Sequence, residues 1–530
     1  MQNTATTLNL ASIVSHHARL APRKEAIVWG DVRLTYGEID ALSNRVANAL
    51  VEMGIGHGDK VALCCPNLPF FPIVYYGIMK AGAAVVPLNV LFKPREIAYH
   101  LTDSDAKAVF VFEGTDELPL AATVKEGFDQ VPTCEKLIVM TRDLMGKSPL
   151  DGHETLTQIT FDKSESFDIY PTRPDDTCAI LYTSGTTGQP KGAELTHLNL
   201  YSNVTTTFLI HLPMLDFTDG VQKTCLITLP LFHTTGQTVQ MNTQIYAGHR
   251  IVLLPRFDPQ ATLDAMVAEG VNFWVGVPTM YWALLRHVDE TGYDISRVRE
   301  TMKVCSSGGA PMPVEVMKEF QERFGVRVME GYGLSETSPL ACFNHFERPS
   351  KPGKVGQQIF GVEVRCFDDN DNEVPRGQRG EVVIRGTNVM KGYYKRPEAT
   401  AEAFRNGWFH TGDIGIMDDE DYLAIVDRKK DMILRGGYNI YPRELEEVII
   451  THPLVSLCAV IGVPDERLGE EVKAFVVLKP GCEMTEAEFT EWCKTQFAAN
   501  KYPRHVEFRE SLPIGGTGKI FKRALKEEAA

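Results

Sequence analysis

A glycine- and hydroxyl-rich stretch at residues 182–192 constrains the chain more than any other segment. It reads YTSGTTGQPKG and follows a short apolar run, residues 178–181, which predicts a buried strand. Glycines permit close backbone approach, so that N–H groups can point at phosphate oxygens, and Lys191 adds a positive charge. The P-loop pattern G-x-x-x-x-G-K-[ST] does not fit, because Pro190 stands where its second glycine would be. The stretch therefore predicts a phosphate-binding loop of a different kind.

Composition limits the classes of protein to which the chain can belong. Its 530 residues predict about three or four domain-sized units, and its net charge of −15 argues against a nucleic-acid-binding surface. Eleven cysteines show no C-x-x-C pair and no zinc-type spacing, which indicates small core residues in a reducing, cytoplasmic compartment. Residues 1–20 lack the pattern of a secretion signal. The apolar segment 70–92 contains Lys80 and two prolines, so it predicts a buried helix and strand and no transmembrane span.

The order of predicted elements divides the chain into parts. Strands alternate with helical segments to about residue 330, which predicts an α/β fold of mainly parallel sheets covered by helices. Beyond it, short strands between acidic and Gly/Pro turns predict a small distorted β-barrel, and a charged link then precedes a compact α+β pattern. The expected parts are an N-terminal domain at 1–427 with its barrel-like region at about 353–427, a hinge at 428–431, and a small mobile α+β C-terminal domain at 432–530.

Further glycine-rich loops carry side chains suited to nucleotide binding. The segment SSGGAP at 306–311 would let a flat ring lie against the backbone. Tyr332 is suited to stack on a purine and Glu336 to bind Mg²⁺ that bridges phosphates. Asp413, after a glycine turn, is either a ribose ligand or a simple turn residue. Lys519 is either a solvated charge near the chain end or an incoming catalytic cation. Taken one at a time, these residues leave both interpretations open.

Taken together and in order, the motifs resemble the adenylate-forming superfamily, which includes acyl-CoA synthetases, firefly luciferase and peptide-synthetase adenylation domains. They are YTSGTTGQPKG, LPLFHTTG, SSGGAP, GYGLSET, GWFHTGD, DRKKDMILRGGYNIYPRELE and PIGGTGK, and they span residues 182–519. The resemblance implies a two-step ligase. A carboxylate attacks the α-phosphate of Mg-ATP to give an acyl-adenylate and pyrophosphate, and a thiol then displaces AMP. ATP, Mg²⁺ and coenzyme A are therefore expected.

The resemblance also implies roles for individual residues. Those that would hold ATP or AMP are Thr183, Ser184, Gly185, Thr186, Thr187, Gly188, Lys191, Gly308, Gly309, Ala310, Pro311, Glu330, Gly331, Tyr332, Asp413 and Arg428. Those implied in catalysis are Lys519, which would bridge the carboxylate and the α-phosphate, His233, Ser335, where many relatives have Thr, and Glu336, the metal ligand. A rotation about Lys430 would then withdraw Lys519 and present Gly436, Gly437 and Tyr438 to coenzyme A. The acyl pocket would be lined by Phe232, Gly236, Gln237, Met241 and Val277.

The identity of the acid follows less directly. The resemblance is to ligases of lipophilic acids, so the expected substrate is a medium- or long-chain fatty acid. Gln237 stands where some long-chain members carry a gating Trp, which keeps branched and aryl acids as alternatives. An amino acid is disfavoured as substrate, because the sequence lacks the Asp that binds the substrate's amino group in amino-acid-activating relatives. A dicarboxylate stays open, since Lys223 or Arg250 could pair with its second carboxylate. Delivery to a carrier protein is the alternative to coenzyme A. Peripheral membrane contact and a homodimer are also left open.

Overall fold

The computed structural model is a mixed α/β protein with a large N-terminal and a smaller C-terminal part. It describes residues 6–183, 189–216, 219–429, 431–515 and 518–529. The predictions made for some residues lie outside these ranges, namely those for Ser184, Gly185, Thr186, Thr187, Gly188 and Lys430.

The strands are short and are distributed along the whole described chain. In chain order they are β1 (Glu25–Trp29), β2 (Val32–Thr35), β3 (Lys60–Cys64), β4 (Ala84–Pro87), β5 (Ala106–Phe112), β6 (Lys136–Met140), β7 (Thr177–Thr183), β8 (Lys191–Thr196), β9 (Thr224–Ile227), β10 (Arg250–Leu253), β11 (Phe273–Gly276), β12 (Val304–Gly308), β13 (Val328–Gly333), β14 (Leu340–Phe343), β15 (Gln357–Gln358), β16 (Val362–Phe367), β17 (Arg379–Gly386), β18 (Gly392–Tyr393), β19 (Phe404–Arg405), β20 (Trp408–Met417), β21 (Leu423–Arg428), β22 (Ile433–Arg435), β23 (Tyr438–Ile440), β24 (Val455–Asp465), β25 (Gly469–Leu478) and β26 (His505–Phe508).

The helices lie mostly between the strands of the N-terminal part. In chain order they are α1 (Ser12–Leu20), α2 (Tyr36–Glu52), α3 (Phe70–Lys80), α4 (Pro94–Asp103), α5 (Leu120–Phe128), α6 (Leu156–Thr160), α7 (His197–His211), α8 (Thr243–Tyr246), α9 (Pro259–Glu269), α10 (Pro278–Thr291), α11 (Ser296–Thr301), α12 (Val314–Phe324), α13 (Pro397–Ala403), α14 (Pro442–Ile449), α15 (Glu486–Gln496) and α16 (Lys522–Ala529). Short 3₁₀ turns occupy Leu212–Met214 and Ser335–Thr337, and a π-helix occupies Thr235–Asn242.

Two large sheets dominate the described part of the N-terminal region. One has the strand order β15-β14-β13-β12-β11-β9-β10-β1-β2, and the other has the order β18-β8-β7-β4-β3-β5-β6. Their central pairs are parallel, for example β11 with β12, β12 with β13 and β3 with β4. Parallel neighbours need a crossover connection, and the helices between the strands supply it. The predicted α/β class is confirmed.

The N-terminal helices show how local sequence sets these elements. Thr35 Oγ1 accepts a hydrogen bond from the Glu38 N–H at 3.3 Å, and the Glu38 carboxylate accepts one from the Thr35 N–H at 2.8 Å. This capping box starts α2, and the pattern Thr-x-x-Glu at residues 35–38 is its sequence signal. The apolar segment 70–92 forms buried α3 followed by β4, and a Cβ on Gly77 would lie 2.6 Å from Val46 Cβ, so glycine lets α2 and α3 approach. None of the described helices combines the length and apolarity that spanning a bilayer requires.

The last third of the chain is mainly antiparallel. Where the sequence predicts a small distorted barrel, the described strands form a five-stranded sheet of order β16-β17-β20-β19, with β21 also paired to β20. Strand β21 runs to Arg428, so it includes the first part of the charged link expected at 427–431. The described C-terminal part forms another sheet, β23-β22-β25-β24 with β26 beside β25. Its core contains Ile433, Leu445 and Phe489 and is separate from the main core.

Candidate active site

The predicted phosphate-binding stretch is flanked by a pair of antiparallel strands. Strand β7 ends at Thr183 and β8 begins at Lys191, and these two residues are directly paired in the register. The predicted ligands Ser184–Gly188 lie outside the described residues. The ammonium nitrogen of Lys191 lies over the ring of Tyr393, 4.5 Å from its centroid. The register therefore brings one hydroxyl and one cation of the predicted loop to the same sheet edge.

The carboxylate of Glu336 lies beside this edge. It belongs to the 3₁₀ turn that also contains Ser335, and it is buried. Thr183 Oγ1 donates to Glu336 Oε1 at 3.2 Å, and the Tyr393 hydroxyl donates to the same oxygen at 3.0 Å. Glu336 Oε2 accepts no hydrogen bond from the residues that the structure describes. A buried carboxylate whose second oxygen has no partner among the described residues has the chemistry of a ligand for a hard divalent cation.

The two candidate adenine segments lie side by side. Strands β12 and β13 are parallel neighbours, and their register pairs Ser307 with Glu330 and Gly308 with Gly331. The chain then turns at Gly309, which has a φ of +78°, before Ala310 and Pro311. Such a backbone favours glycine, because a side chain strains it. The register thus joins the SSGGAP and GYGLSET motifs, which are distant in sequence, into one backbone surface of small residues.

The carboxyl group of Glu330 contacts backbone rather than solvent. It is 3% exposed, and its Oε1 accepts a hydrogen bond from the Met312 N–H at 3.3 Å. Burial raises the pKa of Glu330 to about 7, and the Arg443 guanidinium opposes this rise. The contact ties the segment after Pro311 to β13. Arg443 lies on α14 in the C-terminal part, so its charge reaches this site across the two parts of the protein.

Asp413 is held between an aromatic hydroxyl and a guanidinium. The Tyr332 hydroxyl donates to Asp413 Oδ2 at 2.7 Å, and Arg428 Nε lies 3.3 Å from Oδ1. Asp413 and Arg428 are paired in the register of β20 and β21. The structure therefore brings three of the predicted nucleotide ligands together, on strands that come from different sheets.

Lys519 reaches into the same region from the C-terminal part. A Cβ built on Gly309 would lie 2.9 Å from Lys519 Cε and 3.1 Å from its Nζ, so the lysine lies directly against that glycine turn. Burial lowers the pKa of Lys519 to about 8; the charge of Arg428 lowers it further and that of Asp413 opposes the shift. The ammonium of Lys519 therefore lies where the predicted nucleotide-binding motifs meet.

His233, which the resemblance implies in catalysis, lies close enough to Lys519 for the ammonium charge to affect it. Burial lowers the pKa of His233 to about 3, and the neighbouring Lys519 ammonium acts in the same direction. The imidazole is therefore neutral at physiological pH. Its Nδ1 accepts a hydrogen bond from the Thr235 N–H at 3.3 Å, which leaves Nε2 as the protonated nitrogen.

The segment after His233, which contains the predicted pocket residues Gly236, Gln237 and Met241, forms a π-helix, Thr235–Asn242. The predicted pocket residues Gln237 and Met241 are both fully buried in it. A Cβ on Gly236 would lie 2.3 Å from the carbonyl oxygen of Pro230, so this glycine has backbone and no open channel against it.

Gln237 belongs to a buried hydrogen-bond network. The Tyr75 hydroxyl donates to Gln237 Oε1 at 3.3 Å, and Gln237 Nε2 donates to the Leu231 carbonyl at 3.2 Å. Asn242 Nδ2 in turn donates to the Tyr75 hydroxyl at 3.1 Å. Both polar ends of Gln237 are therefore engaged. Two other predicted pocket residues lie outside this network. Phe232 is half-buried, and the side chain of Val277 lies against Gly518.

The candidate coenzyme A residues form the tip of a hairpin in the C-terminal part. Arg435 and Tyr438 are paired across β22 and β23, with Gly436 and Gly437 between them at φ values of +56° and +82°. A Cβ on Gly437 would meet no atom within 4 Å, and Tyr438 is 60% exposed. This hairpin is accessible rather than packed against the nucleotide motifs.

Three residues that contact the site were missed by sequence reasoning. Tyr393 contacts Glu336 and Lys191, Thr279 donates to the Gly518 carbonyl, and Arg443 acts on Glu330. The tyrosine follows a glycine in the segment KGYYKRP, and that pattern was a usable signal. Thr279 lies in a helix without a local motif, whereas Arg443 lies within the motif DRKKDMILRGGYNIYPRELE, where nothing in the sequence indicated that its charge acts on Glu330.

Comparison with known proteins accounts for this geometry. Residues 14–394 match the AMP-binding enzyme family, and residues 444–519 match the AMP-binding enzyme C-terminal domain. The chain belongs to the AMP-binding enzyme family. It is therefore a member of the adenylate-forming superfamily and an acid–thiol ligase of the AMP-forming acyl-CoA synthetase type.

Relatives in this family cover almost the whole chain. A long-chain-fatty-acid–CoA ligase of Bacillus subtilis (strain 168) is 36% identical over 98% of this chain and 94% of its own length. A feruloyl-CoA synthase of an Amycolatopsis species is also 36% identical, over 98% of both chains. The crystal structure of ATP-bound MatB from Rhodopseudomonas palustris matches with a TM-score of 0.85 and 34% identity, over 98% of this chain and 99% of that one. ATP, coenzyme A and a small carboxylic acid are the substrates of such a ligase.

Proposed function

We propose that this acyl-CoA ligase activates a lipophilic monocarboxylic acid, with a medium- or long-chain fatty acid as the first candidate. The observation that carries the proposal concerns the two cations left open for a second carboxylate. Lys223 Nζ lies 2.5 Å from Asp219, while Arg250 lies 2.8 Å from Glu25 and donates to the Glu269 carbonyl at 2.9 Å. A dicarboxylate would have to displace these partners, whereas an apolar tail needs no cation.

The side chains around Lys519 also support a lipophilic monocarboxylic acid as the substrate. The residue before it, Gly518, lies against apolar side chains, since a Cβ there would be 2.9 Å from Val277 and 3.4 Å from Met280. His233 adds a neutral imidazole and no further positive charge. The reacting carboxylate would therefore meet a single buried ammonium, with apolar walls beside it.

An aryl acid is the second candidate, and a specific observation favours it. Thr234 Oγ1, Thr238 Oγ1 and Gln240 Oε1 are buried and have no hydrogen-bond partner among the residues that the structure describes. Buried polar atoms are normally paired, so a substrate that carries a hydroxyl would supply what is missing. A feruloyl-CoA synthase is among the relatives, beside the long-chain-fatty-acid–CoA ligase.

The first half-reaction follows from the charges at the site. Lys191 and the stretch that begins at Thr183 bind the β- and γ-phosphates, and Ser335 faces the α-phosphate. Attack by the carboxylate concentrates negative charge at the α-phosphorus, where the ammonium of Lys519 offsets it. His233 positions the carboxylate as a neutral hydrogen-bond donor. Because these groups are already placed, little reorganisation accompanies the reaction.

The nucleoside is held at the other end of the site. Asp413 and Arg428 bind the ribose hydroxyls, and the ring of Tyr332 stacks on adenine. The backbone of Gly308, Gly309, Ala310 and Pro311, with that of Glu330 and Gly331, forms the remaining adenine surface. The hydrogen bond from Tyr332 to Asp413 supports this assignment, because it couples the base-binding and ribose-binding side chains.

Mg²⁺ fits the donor set at Glu336. Oε2, which has no partner in the described part of the chain, is the oxygen that a cation would take, while Oε1 accepts hydrogen bonds from the hydroxyls of Thr183 and Tyr393. If bound there, the ion would supply positive charge that offsets the charge of the phosphates. Glu336 itself would fix where that charge lies.

The second half-reaction needs a different arrangement of the C-terminal part. We place a hinge at 428–431, centred on Lys430, between an N-terminal domain at 1–427 and a C-terminal domain at 432–530. Rotation there withdraws Lys519 and presents Gly436, Gly437 and Tyr438 to the pantetheine arm. The separate hydrophobic cores support a division into two domains that can rotate relative to each other. The exposure of the hairpin supports a role for it in the second half-reaction. Delivery to a carrier protein stays the alternative acceptor.

The cysteines support a reducing, cytoplasmic location. All eleven are free thiols, and all except Cys482 are buried. Burial raises the pKa of many of them, for example that of Cys64 to about 12, so they are unreactive thiols. Peripheral membrane contact and a homodimer stay predictions.

A substrate panel tests the proposal. Purified enzyme is given Mg-ATP with saturated acids from two to eighteen carbons, ferulate and malonate, each with and without coenzyme A, and pyrophosphate and AMP are measured. For fatty acids, kcat/KM should rise by about fourfold per methylene until the pocket ends, as expected for about 0.8 kcal/mol of burial. Preference for ferulate would favour the second candidate, and preference for malonate would overturn the proposal. If a thioester forms with a carrier protein but not with coenzyme A, the acceptor is the carrier protein.

A further inference from the structure

One aromatic side chain contacts both charged groups at the phosphate end of the site. The hydroxyl of Tyr393 donates to Glu336 Oε1 at 3.0 Å, and the face of its ring carries Lys191 Nζ at 4.5 Å from the centroid. A ring face is negative and attracts a cation, whereas a phenol O–H is a donor to an anion. Tyr393 therefore satisfies two opposite charges with two different parts of one side chain.

Backbone contacts fix this tyrosine in place. Strand β18 pairs with β8, so that Tyr393 is opposite Ala193. Just before it, the Met390 N–H donates to the Glu336 carbonyl at 2.8 Å, and just after it, the Tyr394 N–H donates to the Gly192 carbonyl at 2.8 Å. The segment 390–394 thus bonds both to the turn that holds Glu336 and to the strand that begins at Lys191.

The contacts keep the two charges apart. In the described part of the chain, hydroxyls contact Glu336 and an aromatic ring contacts Lys191, and no ion pair joins the two charges. A buried carboxylate and a nearby ammonium attract strongly when nothing separates them. If they paired, the lysine would be withdrawn from phosphate and the carboxylate from a metal ion. A spacer that binds both prevents this collapse.

We propose that Tyr393 is a positioning residue that holds Lys191 and Glu336 apart, so that the ammonium stays available to ATP phosphates and the carboxylate to Mg²⁺. The inference rests on the roles given to Lys191 and Glu336 under the proposed function. Burial raises the pKa of Tyr393 above its ordinary value of 10, with the Glu336 carboxylate acting in the same direction, so its hydroxyl stays a donor. The ring and the hydroxyl have separable duties, which substitutions can divide.

The test measures ATP binding without metal and magnesium dependence separately. ATP affinity is measured by calorimetry in EDTA, and the Mg²⁺ concentration that half-saturates pyrophosphate release is measured with the preferred acid. Tyr393→Phe keeps the ring, so ATP affinity in EDTA should stay within about twofold while half-saturating Mg²⁺ rises about tenfold. Tyr393→Leu removes both parts, so ATP affinity in EDTA should also fall about tenfold.

Rescue distinguishes a spacer from a merely structural residue. Adding Glu336→Gln to Tyr393→Leu removes the carboxylate that would capture Lys191, so most of the ATP affinity in EDTA should return. Failure of this rescue in folded protein, or a normal Mg²⁺ dependence in Tyr393→Phe, would overturn the inference. Unchanged ATP affinity in Lys191→Ala would instead overturn the phosphate role on which the inference rests, so the two failures are distinguishable.

The neighbouring tyrosine is a matched control. The hydroxyl of Tyr394 donates to Asp105 at 2.7 Å and its ring lies under Lys60, with Nζ 4.9 Å from the centroid. It therefore makes the same kinds of contact to charges outside the site. Tyr394→Phe and Tyr394→Leu should leave both ATP affinity in EDTA and half-saturating Mg²⁺ unchanged. If substitutions of Tyr393 and Tyr394 change ATP affinity and half-saturating Mg²⁺ equally, the changes come from general packing and not from the separation of Lys191 and Glu336.

Discussion

The hydroxyl of Thr279 donates a hydrogen bond of 2.5 Å to the carbonyl oxygen of Gly518, the residue before Lys519. Thr279 lies in the first turn of α10 in the N-terminal part, whereas Gly518 belongs to the C-terminal part. Gly518 has a φ of +79°, and a Cβ there would lie 2.9 Å from Val277 Cγ2, so glycine is required on two grounds. The contact fixes the backbone from which Lys519 reaches Gly309.

The first prediction removes this bond. Thr279→Val keeps the side-chain shape but has no donor, so acyl-adenylate formation should fall by about two- to tenfold, the range for one net hydrogen bond. Thioester formation from supplied acyl-adenylate should be unchanged if Gly518 has left by then. Single-turnover pyrophosphate release and thioester formation measure the two steps. The control is Thr291→Val at the other end of α10, where the hydroxyl donates only to the exposed His287 carbonyl at 2.7 Å.

The second prediction separates the half-reactions at Lys519 itself. Lys519→Ala removes the cation that lies against Gly309, so adenylation should fall by about a hundredfold or more. Thioester formation from supplied acyl-adenylate and coenzyme A should be nearly spared. Gly437→Leu should do the reverse, since this side chain would obstruct the thiol without touching the nucleotide motifs. Equal slowing of both steps in Lys519→Ala would favour a single fixed site and contradict a hinge at 428–431.

The third prediction concerns pH. Burial lowers the pKa of Lys519 to about 8, so the ammonium is charged below that pH and is lost as pH rises through it. The kcat/KM of adenylation should therefore fall above about pH 8, since kcat/KM reports the free enzyme. The arginine of Lys519→Arg stays charged over this pH range, so the variant should be less active but its kcat/KM should not decrease above about pH 8. If kcat/KM decreases above about pH 8 in both the wild type and the variant, a group other than Lys519 causes the decrease.

Much of the fold could be predicted because local pattern and tertiary packing agree there. The capping box at Thr35 and the helix–strand pair in 70–92 are examples, since periodicity and end signals coincide. The π-helix at Thr235–Asn242 could not be predicted in this way. Its residues are buried on every side, so no apolar stripe reports the helix type, and its wider turn is set by packing against other elements.

The candidate site was predictable where residues lie within motifs. Lys519, Asp413 and Arg428 each stand out within their own motif, and in the structure Arg428 pairs with Asp413 and both charges act on Lys519. Tyr393 and Thr279 act through contacts between distant segments, which one sequence does not record. Whether a cation such as Arg250 is free or already paired also depends on tertiary placement, since its partner Glu25 is distant in the sequence.

The fourth prediction tests the metal ligand. Glu336→Gln keeps the size and can still accept the Thr183 and Tyr393 hydrogen bonds, but it loses the charge that attracts Mg²⁺. Adenylation should fall by at least about tenfold, or about 1.4 kcal/mol in the barrier, with a higher half-saturating Mg²⁺ concentration. Pyrophosphate release across a magnesium titration measures both effects. Unchanged turnover at saturating Mg-ATP would rule out the assignment.

The last prediction concerns the predicted acyl wall. Gly236 has backbone against its Cβ position, so a bulky residue there would disturb the fold, and Gln237 is the better probe. Gln237→Leu leaves the Tyr75 hydroxyl without its acceptor, and the Leu231 carbonyl also loses a donor. The free energy of unfolding should fall by about 1–3 kcal/mol, the cost of unpaired buried groups. Because both ends of Gln237 serve this network, kcat/KM should fall by a similar factor for short and long acids.

A second glutamine of the π-helix serves as the control. Gln240 Nε2 donates to the Leu226 carbonyl at 3.1 Å, but its buried Oε1 has no partner among the described residues. Gln240→Leu removes an unpaired oxygen together with one hydrogen bond, so it should destabilise the protein less than Gln237→Leu. Denaturant unfolding compares the two variants, and the acid panel compares their selectivity. If Gln237→Leu leaves stability intact and changes the preferred chain length, its side chain faces the acid and the network is not its main role.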